Sequence, residues 1–205
     1  MEEVYSHYPN LFSIAIILKK EKKMKPIIFW LTVSSDLLLL SSLIGTLVIP
    51  KFRAWPPPYQ NSWQFYYNWT LFIIAFLGIF LLGIYDWNSF ILNHWFRLII
   101  GGILLISGFF LAFWAVKAIS IHDSLGLEGE LITKGVYNYS RNPEYIGDLI
   151  LFLGYSLLTN SWMVMITDTG LALWFFLAPF TEEPWLQERY GEEYEKYIEQ
   201  VPRFM

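Results

Sequence analysis

The sequence predicts an all-α, polytopic membrane protein of about five transmembrane helices, the last two a helical hairpin, with a C-terminal amphipathic helix. Three observations carry this. Of the 205 residues 55% are hydrophobic and only 16% charged, too little charge to cover a soluble domain of this size. The apolar residues are segregated into long runs separated by short polar stretches. Mean hydropathy is +0.40. The chain reads as one integral membrane domain over 1–205, with N-terminal helices inside 27–116 and a loop, hairpin and terminal helix inside 117–205.

Cysteine is absent, which excludes disulfides and thiolate chemistry. His7, His94 and His122 lie far apart, so no metal site is expected. The net charge of −4 is clustered locally, and no nucleic-acid partner is expected.

Residues 1–26 are polar and aromatic and end in KKEKKMKP, which suits a segment facing lipid headgroups. The first crossing is expected over Ile27–Ile49, stopped by Pro50. At roughly 1.5 Å per residue it spans a hydrocarbon core about 30 Å thick. Asp36 lies inside it and should face other helices or a cavity, because a lipid-facing carboxylate is costly. Residues 50–68 contain three consecutive prolines among Trp and Tyr, which predicts an interfacial anchoring loop. Further crossings are expected over Trp69–Tyr85 and Trp95–Val116, with Gly101, Gly102 and Gly108 allowing close packing in the latter.

Residues 118–143 form the longest polar stretch between membrane runs, with Gly126, Gly129 and Gly135 free to make tight turns. The glycine spacing fits neither a dinucleotide-binding fingerprint nor a phosphate loop. Asn142-Pro143 predicts a helix start, Asn as cap and Pro at the first helical position. From Pro143 an apolar hairpin follows: Glu144–Leu158, a turn at Thr159-Asn160-Ser161, and Trp162–Ala178. The first arm is short for a crossing, at about 22 Å. Asp148 and Asp168 sit inside the arms and should face inward. Pro179 is expected to end the second arm. From Trp185 onward, Tyr190, Tyr194, Tyr197, Ile198 and Val201 recur at helical spacing, an amphipathic helix that lies on the membrane or caps the preceding loop.

A hairpin that leaves at Pro143 and returns at Pro179 brings the 118–143 loop and the 181–205 tail to one side of the membrane. Their inventory is Tyr137, Arg141, Asn142, Tyr145, Glu182, Glu183 and Arg203. Carboxylates suit an amino group, and an arginine fork suits a carboxylate. A ligand carrying both groups and an aromatic base fits; S-adenosylmethionine is one such ligand among several.

The stretch GVYNYSRNPEYIG at 135–147, a hydrophobic hairpin, the Glu182-Glu183 pair and then YGEEYEKY resemble the isoprenylcysteine carboxyl methyltransferase and phospholipid methyltransferase superfamily. The likeness covers about residues 117–205. It implies S-adenosylmethionine as cofactor, with Leu131, Gly135, Tyr137, Arg141, Asn142, Pro143, Tyr145 and Glu183 shaping its pocket. It also implies catalytic roles for Arg141, Glu182 and Glu183, a lipidic or prenylated small-molecule acceptor, and membrane lipids as surrounding partners. The prenylcysteine enzymes usually carry His where this chain has Asn142. Isoprenylcysteine carboxyl O-methylation leads. Phospholipid N-methylation, a sterol-reductase-like enzyme using a reduced nicotinamide cofactor, and a non-catalytic scaffold or lipid-binding protein stay open. Five crossings place residues 1–26 opposite the cofactor side, which this cofactor requires to be cytoplasmic. Lys19, Lys20, Lys22, Lys23 and Lys25 argue for the reverse orientation; the cofactor argument decides.

Overall fold

The computed structural model describes residues 9–92, 94–119 and 131–204. His7, His122, Gly126 and Gly129 lie outside them. The described residues form six α-helices: α1 Pro9–Val48, α2 Trp63–Tyr85, α3 Phe96–Ile119, α4 Pro143–Thr159, α5 Trp162–Tyr190 and α6 Glu192–Gln200. Short 3-10 turns at Pro50–Phe52 and Gly135–Asn138 join them. Among the described residues, four stretches are long and apolar enough to cross a membrane: Lys23–Val48, Trp63–Tyr85, Phe96–Ile119 and Trp162–Tyr190. Helix α4, with 17 residues, reaches only about 26 Å. The protein is an integral, multi-pass membrane protein.

Three boundaries differ from the sequence expectation. Helix α1 starts at Pro9 and runs through Pro26, where a headgroup segment was expected up to residue 26. Lys and Glu are strong helix formers, and one proline removes only one backbone donor. Helix α2 starts at Trp63, six residues early, because Ser62 caps it by accepting from Phe65 N. Helix α5 continues through Pro179 and Pro184 to Tyr190, so Pro179 does not end it. The buried stripe Leu171, Trp174, Phe175, Ala178, Thr181 and Glu183 runs along this helix past Pro179. Burying it offsets the bonds that the two prolines cannot make. The terminal amphipathic helix is correspondingly short, cut from α5 by Gly191 at φ 53°.

Helices α1, α2 and α5 enclose a core of Leu39, Leu43, Ala75, Leu82, Val164, Leu171 and Trp174. Helix α4 lies between α5 and α3. Its contact with α3 is backbone on backbone: a Cβ on Gly108 would stand 2.5 Å from Leu151 N, and one on Gly147 2.5 Å from Ala112 N. Gly101 meets Leu158 N at 2.7 Å in the same way, whereas Gly102 has nothing within 4 Å and takes no part. This is the small-residue packing that helices in lipid use in place of a hydrophobic driving force.

The elements alternate between two ends. At one end, Lys25 Nζ pairs with Asp86 Oδ1 at 2.6 Å, and Ser89 and Ser161 hydroxyls donate to Asp86 Oδ2 at 2.6 Å each. Asn160, left-handed at φ 47°, turns the hairpin there, and Ser161 caps α5. The other end gathers the 49–62 loop, the start of α4, the end of α5 and α6.

Burial pushes the Asp86 carboxyl up. The hydrogen bonds from Lys25, Ser161 and Ser89, with the Lys25 charge, outweigh it and hold the carboxyl below the ordinary range. A carboxyl depressed on folding contributes stability above its unfolded value of 3.8, and loses it as pH falls through the folded value. Asp86→Asn is therefore expected to lower the melting temperature at pH 7. The gap to wild type should close on acidification below about pH 4, as thermal unfolding in detergent at both pH values would show.

Asp36 and Asp168 are each 3% exposed and do face inward; Ser156 Oγ donates to Asp168 Oδ2 at 2.7 Å. Asp148 is half-buried.

Candidate active site

The site is built where the Arg141-Asn142-Pro143 stretch, the end of α5 and the C-terminal tail meet. Pro143 opens α4 at its first position, as the sequence indicates. Asn142, however, makes no capping bond. Its amide donates instead to Arg203 O at 3.0 Å, while its backbone N–H goes to Ser140 Oγ at 3.1 Å. The tail competes for the side chain and wins. Ser140 Oγ also donates to Arg203 O, and Arg141 N donates to Pro202 O at 3.0 Å. Residues 202–203 thus clamp residues 140–142.

This clamp delivers two guanidiniums to one carboxylate. Arg203 holds Glu183 as a fork, Nε to Oε1 at 2.8 Å and Nη2 to Oε2 at 2.6 Å. Arg141 Nη1 reaches Glu183 Oε1 at 3.2 Å. The Arg203 guanidinium lies 4.0 Å from the Phe180 ring centre, and Phe204 stacks on Phe176. Arg141 also donates to the Tyr194 hydroxyl, yet its Nε is buried without a partner.

The neighbouring Glu182 has different company. Its Oε1 accepts from the Tyr145 hydroxyl and from Trp55 Nε1, neutral donors both. Among the described residues no cation pairs with it, and its Oε2 takes no hydrogen bond. Two adjacent carboxylates therefore stand in opposite surroundings. Glu183 is outnumbered by cations, and Glu182 is met, among the described residues, by neutral donors alone.

Gly135 sits at φ +67°, a conformation that L side chains rarely adopt, and a Cβ there would have nothing within 4 Å. Tyr137 is buried against Ala115, and its carbonyl accepts from Tyr197 Oη at 2.7 Å. Leu131 packs with Tyr194, Tyr197 and Val201. Helix α6 therefore caps the loop, one of the two placements expected of it. Burial pushes Tyr197 up to about 12 against the pull of Arg141, and raises Tyr194 with help from Glu183. Both phenols stay protonated donors at neutral pH. Among the described residues, no three His, Asp or Glu side chains gather as metal ligands.

Arg141, Glu182 and Glu183 thus come together as expected. Tyr145 joins Glu182, and Asn142 and Arg203 join through the tail. Leu131, Gly135, Tyr137 and Pro143 belong to the supporting loop. Sequence reasoning missed Trp55, which was expected to anchor the loop at the interface. It is 3% exposed, with its ring edge-on to Phe72 and Trp174. Its partner Glu182 is 127 residues away, so spacing gives no signal; the rigid prolines beside it are the only local hint.

Residues 96–193 match the phospholipid methyltransferase family. The chain is 28% identical to a steroid 5-alpha-reductase of Solanum lycopersicum, over 66% of this chain and 54% of that protein. It is 36% identical to a protein-S-isoprenylcysteine O-methyltransferase of Schizosaccharomyces pombe, over 35% of this chain and 31% of that protein. It is 25% identical to a methanethiol S-methyltransferase of Crocosphaera subtropica, over 88% of this chain and 76% of that protein. The chain spans about half of the first relative and a third of the second. No solved structure matches it. The family match and the two methyltransferase relatives are consistent with the integral membrane superfamily of isoprenylcysteine carboxyl methyltransferases and phospholipid methyltransferases, which the chain resembles.

Proposed function

We propose that this protein transfers a methyl group from S-adenosylmethionine to a lipidic or prenylated acceptor at the membrane. The carrying observation is the opposite charge excess at two adjacent residues. Arg141 and Arg203 outnumber Glu183, and among the described residues Arg141 Nε has no partner. Glu182 is matched by neutral donors alone. A site with a spare cation beside a spare anion fits the carboxylate and amino group of an amino-acid moiety. Arg141 and Arg203 would hold the carboxylate and Glu182 the amino group, and among the described residues nothing would lie within 4 Å of a Cβ at Gly135, where ligand could approach the backbone.

S-Adenosylmethionine supplies an electrophilic methyl group on a sulfonium. The residues of this chain need only orient the two partners and exclude water, so proximity carries much of the rate. A carboxylate acceptor of the isoprenylcysteine type is ionised at neutral pH and needs no base; it is the leading acceptor. An amine headgroup of a phospholipid would have to lose a proton, and Glu182 is placed to take it. The cofactor side faces the cytoplasm in this reading, which puts Lys25 and the α2–α3 connection on the far side.

The test is transfer of a labelled methyl from S-adenosylmethionine to two acceptors, N-acetyl farnesylcysteine and phosphatidylethanolamine, by detergent-purified protein. Label on the prenylcysteine supports the leading reading, and label only on the amine moves the acceptor class. Label on neither counts against methyl transfer to both classes. The likeness to the steroid reductase favours a second reading, hydride transfer from a reduced nicotinamide cofactor, and binding of that cofactor would support it.

A further inference from the structure

We infer that Trp55, outside the matched residues 96–193, is a positioning residue of the site: its indole N–H fixes Glu182 so that one carboxylate oxygen stays free for a cationic group of the ligand. The inference rests on the methyl-donor reading above.

The 49–62 loop is built to hold this ring. Ala54 N donates to Thr46 Oγ1 at 2.9 Å, and Asn68 Nδ2 donates to Ala54 O at 2.8 Å. Asn68 and Ala54 are fully buried, so the backbone on the N-terminal side of Trp55 is tied to both α1 and α2. The Trp55 ring then meets Trp174 at 5.1 Å and Phe72 at 5.9 Å between centroids, both edge-on, with no room to swing. Its Nε1 is left 2.5 Å from Glu182 Oε1 and 3.3 Å from the Tyr145 hydroxyl. Tyr145 donates to the same oxygen. Both neutral donors converge on Oε1, and among the described residues none donates to Oε2.

That asymmetry has a chemical meaning. An arginine or lysine here would neutralise Glu182, as two arginines do for Glu183. Indole and phenol instead orient the carboxyl group and bring no positive charge to it. A cationic group of the ligand, an ammonium or a sulfonium, would complete Glu182. Trp55 acts through Glu182 and not by touching the ligand.

The experiment is a double-mutant cycle read by equilibrium binding of S-adenosylmethionine to the full chain in detergent. Trp55→Phe keeps an aromatic ring and removes the N–H. It is expected to weaken binding about tenfold, in line with losing a hydrogen bond to a charged group. In a Glu182→Gln background the same substitution should change binding less than about twofold. Benzothienylalanine at position 55 keeps the bicyclic shape without the N–H, and should repeat the result if Trp55→Phe disturbs folding. An equal loss in both backgrounds, or no loss in the wild-type background, overturns the inference. Absence of binding by the wild-type protein would instead overturn the donor reading, and this assignment with it.

Discussion

Glu183→Gln is expected to slow methyl transfer by more than about 100-fold and to weaken binding of S-adenosylmethionine to a similar degree. Glu183 is 8% exposed and carries contacts from both guanidiniums. Removing one partner of a buried ion pair costs about 3–5 kcal/mol, because the charge left behind is uncompensated. Here two charges are left, and both belong to the clamp between residues 140–142 and the tail. Loosening that clamp displaces Arg141, so the effect reaches the ligand site as well as the fold. Methyl-transfer rates and thermal unfolding of the same preparation check this. Glu182→Gln is the informative contrast: it should lose donor affinity while leaving the melting temperature within a few degrees of wild type. Equal melting losses in the two variants would mean that the adjacent glutamates do not divide the work as their surroundings indicate.

Gly108→Leu is expected to prevent α3 from docking on α4, leaving little folded protein. A Cβ at this position stands 2.5 Å from Leu151 N and 2.6 Å from Gly147 O, backbone atoms that cannot rotate away. The helices must separate, and the Gly101–Leu158 and Gly147–Ala112 contacts on the same seam separate with them. Overpacking alone costs about 1–3 kcal/mol at one site, and loss of the seam adds to it. Gly102→Leu is the control. Nothing lies within 4 Å of its Cβ, so it should fold like wild type, with a slight gain from helix propensity. Detergent-resistant folded fraction, measured by size exclusion and thermal unfolding, distinguishes the two.

The architecture was legible because its signals are local. Hydrophobic runs, Pro143 at a helix start and Asn160 at a turn each act within a few residues, and the structure keeps all three. The errors have a common origin in tertiary contact overriding a local rule. Pro179 and Pro184 are helix breakers in isolation, but the stripe they interrupt is buried on both sides of Pro179. Asn142 is a good cap in isolation, but Arg203 O offers its amide a partner that lies 61 residues on. At the candidate site, the juxtaposition of Arg141, Glu182 and Glu183 was legible because the chain order itself brings loop and tail together. Trp55 was not, since an aromatic beside prolines at a membrane interface reads the same whether it anchors in lipid or turns inward. What decides is the Thr46–Ala54–Asn68 tether, a contact between helices that no periodicity encodes.

The most direct test is equilibrium binding of S-adenosylmethionine and of a reduced nicotinamide cofactor to detergent-purified protein, with Arg141→Ala alongside. Arg141 sits 3.2 Å from Glu183 with its Nε unpartnered, which makes it the cation most available to a carboxylate. The account predicts saturable binding of S-adenosylmethionine alone, weakened at least about tenfold by Arg141→Ala. Binding of the nicotinamide cofactor alone, or S-adenosylmethionine binding unchanged in the variant, would contradict it.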